Sequence, residues 1–95
     1  MPRRSGRKRS KIEIYFEILQ IVDLEKGSEE PLTPTRLMDR AKLNYTASKA
    51  FLRELEQSGF IKRDKEGQIE LTDRGREFIE GYRRVMSFLE PLEPA

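Results

Sequence analysis

The chain contains no cysteine and no histidine. Disulfide staples, thiolate nucleophiles, histidine general bases and Cys/His zinc sites are thereby excluded. Apolar material is scarce too: hydrophobic residues fill 36% of 95 positions, fewer than the 38% that are charged. No apolar run approaches the roughly 20 residues of a membrane span. The charged N-terminus has no apolar stretch behind it, so no secretory signal is expected and a soluble intracellular chain is. So thin a core supports one domain, because two halves would each bury too little; any enlargement is expected from a partner chain.

What the chain has in plenty is charge, and its placement is informative. Nineteen bases and 17 acids leave a net charge of +2. Residues 1–11 carry six bases and no acid, for +6; residues 12–35 carry −5; residues 36–65 carry +4; residues 66–95 carry −3. Residues 1–10, with Arg3, Arg4, Arg7, Lys8 and Arg9 among Ser and Gly, are expected to be a disordered basic arm. Such an arm suits a polyanionic partner.

Periodicity and capping signals divide the rest. Tyr15, Ile18, Leu19 and Val22 form a helical stripe, with Ile14 and Phe16 partly off it. The first helix is expected over about residues 11–25, buried on more than one side, with Ser10 and Glu13 as a capping box. A polar loop follows, in which Leu32 can pair as a short strand. Thr33-Pro34 starts a second helix, with Thr as N-cap and Pro at the first helical position. It carries Leu37, Met38 and Ala41 on one face and breaks near Lys42-Leu43. Asn44 caps a third helix over about 45–58, with Ser48, Phe51, Leu52 and Leu55 on its inner stripe. Gly59 ends it, and Phe60 folds back on the last turn. Residues 60–63 and 68–71 are expected as strands joined by a type I turn, Asp64-Lys65-Glu66-Gly67. Thr72 caps a last helix that runs to about Leu89, before Pro91 and Pro94. The fold class is mainly α with a small β-hairpin. Two short helices joined by a tight turn and followed by a hairpin make a helix-turn-helix with a wing.

The residues Thr35-Arg36-Leu37-Met38, Ala41, Leu43-Asn44-Tyr45, Leu52, Leu55 and Gly59-Phe60-Ile61 resemble those of small archaeal winged helix-turn-helix proteins. That group includes ten-kilodalton chromatin proteins and predicted transcriptional regulators. Leu71-Thr72 with Gly75 three residues on is similar to the entry of their last helix. The resemblance covers about residues 12–89. It implies a winged-helix fold, DNA binding and homodimerisation through the C-terminal helix. That helix is short for the group, which suits a compact helix pair better than a long coiled coil. The expected division is a basic arm at 1–10, a winged helix-turn-helix domain at 11–72, a dimerisation helix at 73–90 and a tail at 91–95.

The third helix is then the recognition helix, whose early residues reach base edges in the major groove. With Phe51, Leu52 and Leu55 inward, Thr46 and Lys49 are best placed, Tyr45 and Ser48 lie at the margin, and Arg53 suits phosphate. Tyr45 and Ser48 serve equally well as packing and capping residues. Arg36, near the start of the second helix, is a phosphate candidate; Arg40 can instead pair with an acid of the first helix. Lys62, Arg63 and Lys65 belong to the wing and can lie along the minor groove. The outward face has few Asn, Gln or Arg, so modest sequence specificity is expected. On the last helix Ile79, Tyr82, Met86 and Leu89 recur at 3, 4, 3 spacing, a heptad seam expected at the dimer interface. Phe78 and Val85 form a second stripe; one stripe covers the chain's own core and the other a partner.

The expected function is DNA binding as a homodimer, by a transcriptional regulator or a chromatin-like architectural protein. The expected partner is duplex DNA in the cytoplasm, at the nucleoid. No cofactor, small-molecule ligand, membrane or catalytic arrangement is legible. The alternative is a winged helix that binds protein within the transcription machinery, which the acidic first and last helices would suit.

Overall fold

A computed structural model describes residues 9–89. Four helices and one hairpin follow in the order α1 (Lys11–Leu24), α2 (Pro34–Ala41), α3 (Tyr45–Gln57), β1 (Ile61–Arg63), β2 (Ile69–Leu71) and α4 (Asp73–Leu89). Of the expected basic arm, residues 1–8 with Arg3, Arg4, Arg7 and Lys8 lie outside the described residues, as does the tail at 91–95.

Local chemistry sets the boundaries. The Glu13 N–H donates to Ser10 Oγ at 3.1 Å and the Ser10 N–H to Glu13 Oε1 at 2.7 Å, closing the capping box on α1. The Arg36 N–H donates to Thr33 Oγ1, with Pro34 in the first turn of α2. The Ala47 N–H donates to Asn44 Oδ1 at 2.7 Å at the start of α3. Past the end of α3 the Phe60 N–H donates to Leu55 O and the Gly59 N–H to Glu56 O, a Schellman pair that needs the left-handed φ of +83° at Gly59. In the wing the Gly67 N–H closes the turn on Asp64 O at 2.9 Å, with Gly67 at φ +84°.

The strands pair antiparallel, Ile61 opposite Leu71 and Arg63 opposite Ile69. One core fills the space between helices and hairpin. Ile18, Leu19, Leu37, Leu52, Leu55 and Ile61 are fully buried in it, each contributing about 1.5–3 kcal/mol of transfer free energy. Around it Tyr15, Phe51, Phe60 and Phe78 meet edge to face or tilted, with centroids 5.1–6.4 Å apart. Helix α1 packs on α2, on α4 and on β2, which is why its apolar residues exceed a single stripe. Leu32 does not pair as a strand. It is buried, and among the described residues the sheet consists of β1 and β2. Its side chain is one of the buried residues of the core.

Helix α4 is joined tightly to the hairpin. The Thr72 N–H donates to Phe60 O at 3.1 Å and the Thr72 hydroxyl to Gly59 O at 2.6 Å, and the Gly75 N–H donates to Thr72 Oγ1 at 3.0 Å. Gly75 lies so close that a Cβ there would sit 2.2 Å from Phe60 O. Beyond Ile79 the helix leaves the core, and Val85, Met86, Phe88 and Leu89 are exposed.

Candidate nucleic-acid interface

Helix α2 ends on Lys42, whose φ of 58° and ψ of 47° put a non-glycine residue in the left-handed region. The turn lets Asn44 start α3 at once, so the two helices form the helix-turn-helix. The inward stripe of α3 is Ser48, Phe51, Leu52 and Leu55. Thr46, Lys49 and Arg53 are exposed on its other faces. Tyr45 is 49% exposed, and the Lys49 ammonium lies 5.4 Å from its ring centroid. The outer face of α3 thus opens with a ring, a hydroxyl and a cation.

Ser48 does not belong to this face. It is fully buried and its hydroxyl has no hydrogen-bond partner, so it cannot touch DNA. Its place on the inward stripe means that a small side chain is needed where α3 meets the rest of the domain.

The wing presents Lys62, Arg63 and Lys65, all exposed. Lys62 Nζ is 3.9 Å from Glu70 Oε1 across the strands, and Arg63 Nε donates to Glu56 at 3.2 Å. Exposed pairs of this kind contribute about 0–1 kcal/mol, so a phosphate can displace them. Lys65 and Arg53 have no ion pair among the described residues.

The bases of α2 behave differently. Glu25, at the C-terminal cap of α1, is nearly buried and holds two arginines: Arg36 Nη2 at 2.7 Å and Arg40 Nη1 at 2.6 Å. Arg36 also pairs with Glu30. The expected phosphate contact of Arg36 is therefore met by carboxylates of its own chain, while Arg40 does pair with an acid beside the first helix. Arg76 approaches Asp23 at 3.7 Å, and Lys11 approaches Glu54 at 3.4 Å. The acidic block 12–35 thus holds Arg36, Arg40 and Arg76, while Lys49 and Arg53 on the outer face of α3 and Lys65 on the wing have no ion pair among the described residues.

Arg9 is also engaged. Its guanidinium donates to Glu17 Oε1, to Ala41 O at 2.9 Å and to Lys42 O at 3.1 Å. The sequence places Arg9 in the arm; the structure fastens it to the end of α2. No pattern of spacing betrays this contact, because it joins residues 32 and 33 positions apart.

The expected dimer seam is divided. Ile79 is 3% exposed inside its own core, and Tyr82 stacks on Phe16 with centroids 4.1 Å apart at 15°. Ile79 is therefore corrected from interface to core, and Tyr82 is held largely within the chain. Met86 and Leu89 remain exposed, joined by Val85, Phe88 and, across from them on α1, Ile12. These last turns border a mostly apolar groove of about 910 Å³ between α1 and α4. The sequence missed Ile12 and Phe88 as exposed apolar residues; Phe88 lies off the 3, 4, 3 seam.

Among the described residues no group of acids is arranged to hold a metal, and no helix is long and apolar enough to cross a membrane.

The winged helix-turn-helix family model matches residues 8–90. An uncharacterized protein of Methanocaldococcus jannaschii is 39% identical over 69 residues, which are 73% of this chain and 65% of that protein. Among solved structures, MepR, a transcription regulator of the Staphylococcus aureus multidrug efflux pump MepA, superposes with a TM-score of 0.63 at 20% identity, over 80% of this chain and 58% of MepR. The M. tuberculosis transcriptional regulator MosR gives 0.62 at 21% identity, over 85% and 61%. At such identities the likeness is one of fold. Sso10a-2, a DNA-binding protein from Sulfolobus solfataricus, gives 0.56 at 28% identity, over 85% of both chains. With the helix-turn-helix, the hairpin and the matched span in agreement, the chain belongs to the winged helix-turn-helix family.

Proposed function

We propose that this protein binds duplex DNA, as a transcriptional regulator or an architectural protein, with α3 in the major groove and the wing against the backbone. One observation carries the reading. Arg9, Arg36, Arg40 and Arg76 are each held by an acid of residues 12–35, whereas Lys49, Arg53 and Lys65 on α3 and the wing, like Lys42 in the turn before α3, have no carboxylate partner among the described residues. The DNA-binding protein Sso10a-2, similar over 85% of both chains, supports it. Thr46 and Lys49 would meet base edges, Tyr45 and Arg53 the groove wall, and Lys62, Arg63 and Lys65 phosphates. Arg3, Arg4, Arg7 and Lys8 would add sequence-independent attraction. Two copies would pair through the exposed end of α4, with Val85, Met86 and Leu89 facing the partner and Tyr82 at the edge, presenting two reading heads to two half-sites. Such a protein works in the cytoplasm, on the nucleoid.

Fluorescence anisotropy of a labelled random duplex against NaCl concentration tests the proposal. Five bases on α3 and the wing give a log–log slope of at most about −4.5 per protomer, and the four of residues 1–8 extend it to about −8. Absent binding, or a slope near zero, overturns it. The exposed apolar end of α4 would also suit a protein-binding module, and such a module predicts no affinity for DNA.

A further inference from the structure

Between the α1–α2 loop and β2 lies a cavity of about 370 Å³, within the size range of small-molecule sites. Val22, Leu32, Ile69 and Leu71 make its apolar wall. Two ion pairs border it: Arg76 with Asp23 at 3.7 Å and Lys62 with Glu70 at 3.9 Å. Both are too long for hydrogen bonds, and none of these four side chains has a hydrogen bond elsewhere among the described residues. Glu25 and Glu30 border the same space but are spent on Arg36 and Arg40.

The edge of β2 adds backbone donors and acceptors. The Thr72 N–H bond to Phe60 O and the Asp64 N–H bond to Gln68 O bracket the ladder. Antiparallel alternation makes Lys62 and Glu70 the hydrogen-bonded pair between them, so Ile69 and Leu71 turn their N–H and C=O groups away from β1. Leu32 does not pair with them, and no other group does among the described residues. An open strand edge is a ready binding surface for groups that alternate donor and acceptor.

We propose that this cavity binds an α-amino acid with an aliphatic side chain. The carboxylate takes Arg76, Lys62 and an outward N–H of β2. The ammonium takes Asp23, Glu70 and an outward C=O, and the side chain lies on Val22 and Leu32. A simple anion would leave two carboxylates facing it, and a simple cation would leave two bases; a zwitterion uses both. It replaces two loose ion pairs by charge-assisted hydrogen bonds, which are stronger. Lys62 is also a wing base, so a bound amino acid withdraws one cation from the DNA-facing set. That last consequence rests on the DNA-binding reading; the cavity assignment does not.

The test titrates the full-length ¹⁵N-labelled chain with L-leucine, without DNA, and follows amide shifts by NMR. Saturable shifts centred on Val22, Leu32, Ile69 and Leu71 are expected, with a Kd of about 1 mM or tighter. L-leucinamide, which lacks the carboxylate, and N-acetyl-L-leucine, which lacks the ammonium, should each bind at least about 10-fold more weakly. Arg76→Gln and Glu70→Gln should each weaken L-leucine at least about 5-fold, whereas Arg84→Gln, on the same helix outside the cavity, should change it less than about 2-fold. The spectra show whether each variant is folded, and the ligand comparison needs only the wild type. With labelled duplex, saturating L-leucine should weaken binding about 2- to 5-fold and make the salt slope shallower by about 1.

Shifts that do not saturate, or that spread over the whole domain, overturn the site. Equal affinity for either blocked ligand, or equal losses in Arg76→Gln and Arg84→Gln, overturns the assigned chemistry. Saturable L-leucine binding with unchanged duplex affinity overturns the link to the wing alone. A chain that binds L-leucine but no duplex overturns the DNA-binding reading and keeps the site; one that binds duplex but not L-leucine overturns the site and keeps that reading.

Discussion

Two glycines of α4 invite the same substitution with opposite results. At Gly75 an added Cβ would lie 2.2 Å from Phe60 O and 2.9 Å from Leu71 Cδ1. The first neighbour is backbone and cannot rotate away, so α4 and the hairpin must separate by about 1 Å to restore van der Waals contact. That movement strains the Thr72 N–H bond to Phe60 O and the Thr72 hydroxyl bond to Gly59 O. Two weakened bonds at about 1 kcal/mol each, with about 1–3 kcal/mol of overpacking, outweigh a helix-propensity gain of at most ~1 kcal/mol. Gly75→Ala should therefore lose about 2–4 kcal/mol. At Gly81 nothing lies within 4 Å of the added atom. Gly81→Ala should gain about 0.5–1 kcal/mol from propensity alone. For a domain of this length the pair should differ in Tm by well over 10 °C, at about 4–8 °C per kcal/mol. Urea and thermal unfolding followed by far-UV circular dichroism, at one protein concentration, measure both. Gly75→Ala as stable as the wild type, or shifts of the same sign in both variants, would refute the close approach of α4 to Phe60.

Other expectations follow from the same contacts. Burial, together with the hydrogen bond to Glu54 at 2.8 Å and that carboxylate's charge, raises the Tyr15 pKa above its ordinary value. The folded chain thus holds the phenol proton more tightly than the unfolded one. The stabilisation is whole below about pH 10 and is lost as pH rises through the raised value; the gap in unfolding free energy between wild type and Tyr15→Phe, about 1–2 kcal/mol at pH 7 by urea unfolding, should shrink above pH 10. Glu25→Gln leaves Arg36 and Arg40 without their shared carboxylate and should cost about 1–3 kcal/mol in urea unfolding; a loss below about 0.5 kcal/mol would make the clamp an ordinary surface pair. Thr46→Ala with Lys49→Ala should weaken a selected site more than random duplex in anisotropy titrations, whereas equal losses would leave α3 with backbone contacts only. Val85→Glu with Met86→Glu should give monomers by light scattering if copies pair through the end of α4, and an unchanged mass would move that contact elsewhere.

Much of the fold is written in short-range chemistry, and that part is legible. Ser10 with Glu13, Thr33 with Pro34, Asn44, Gly59 and Gly67 each act within five residues, so their hydrogen bonds lie where the residue types lead one to expect. The misreadings all involve distant partners. Whether the 79–82–86–89 seam faces inward or outward depends on where α1 lies, and Phe16 of α1 takes Tyr82. Arg36 has the sequence setting of a phosphate contact, but Glu25 and Glu30 reach it first from across the α1–α2 loop. Ser48 has a polar side chain on an apolar stripe, and only the packing around it shows that size outweighs the hydroxyl. The outward face of α3 is legible by subtraction: once Leu52 and Leu55 point inward, Thr46, Lys49 and Arg53 have nowhere else to go.

Phe60 is the knot of the molecule. Its N–H closes the end of α3, its carbonyl receives Thr72 at the entrance to α4, and β1 begins at the next residue. Reader helix, hairpin and final helix are consequently welded at one residue, and none can swing without carrying the others. In an assembly paired through α4, the crossing angle and the axial offset of two such helices would then set how many base pairs separate the points where the two copies touch the duplex.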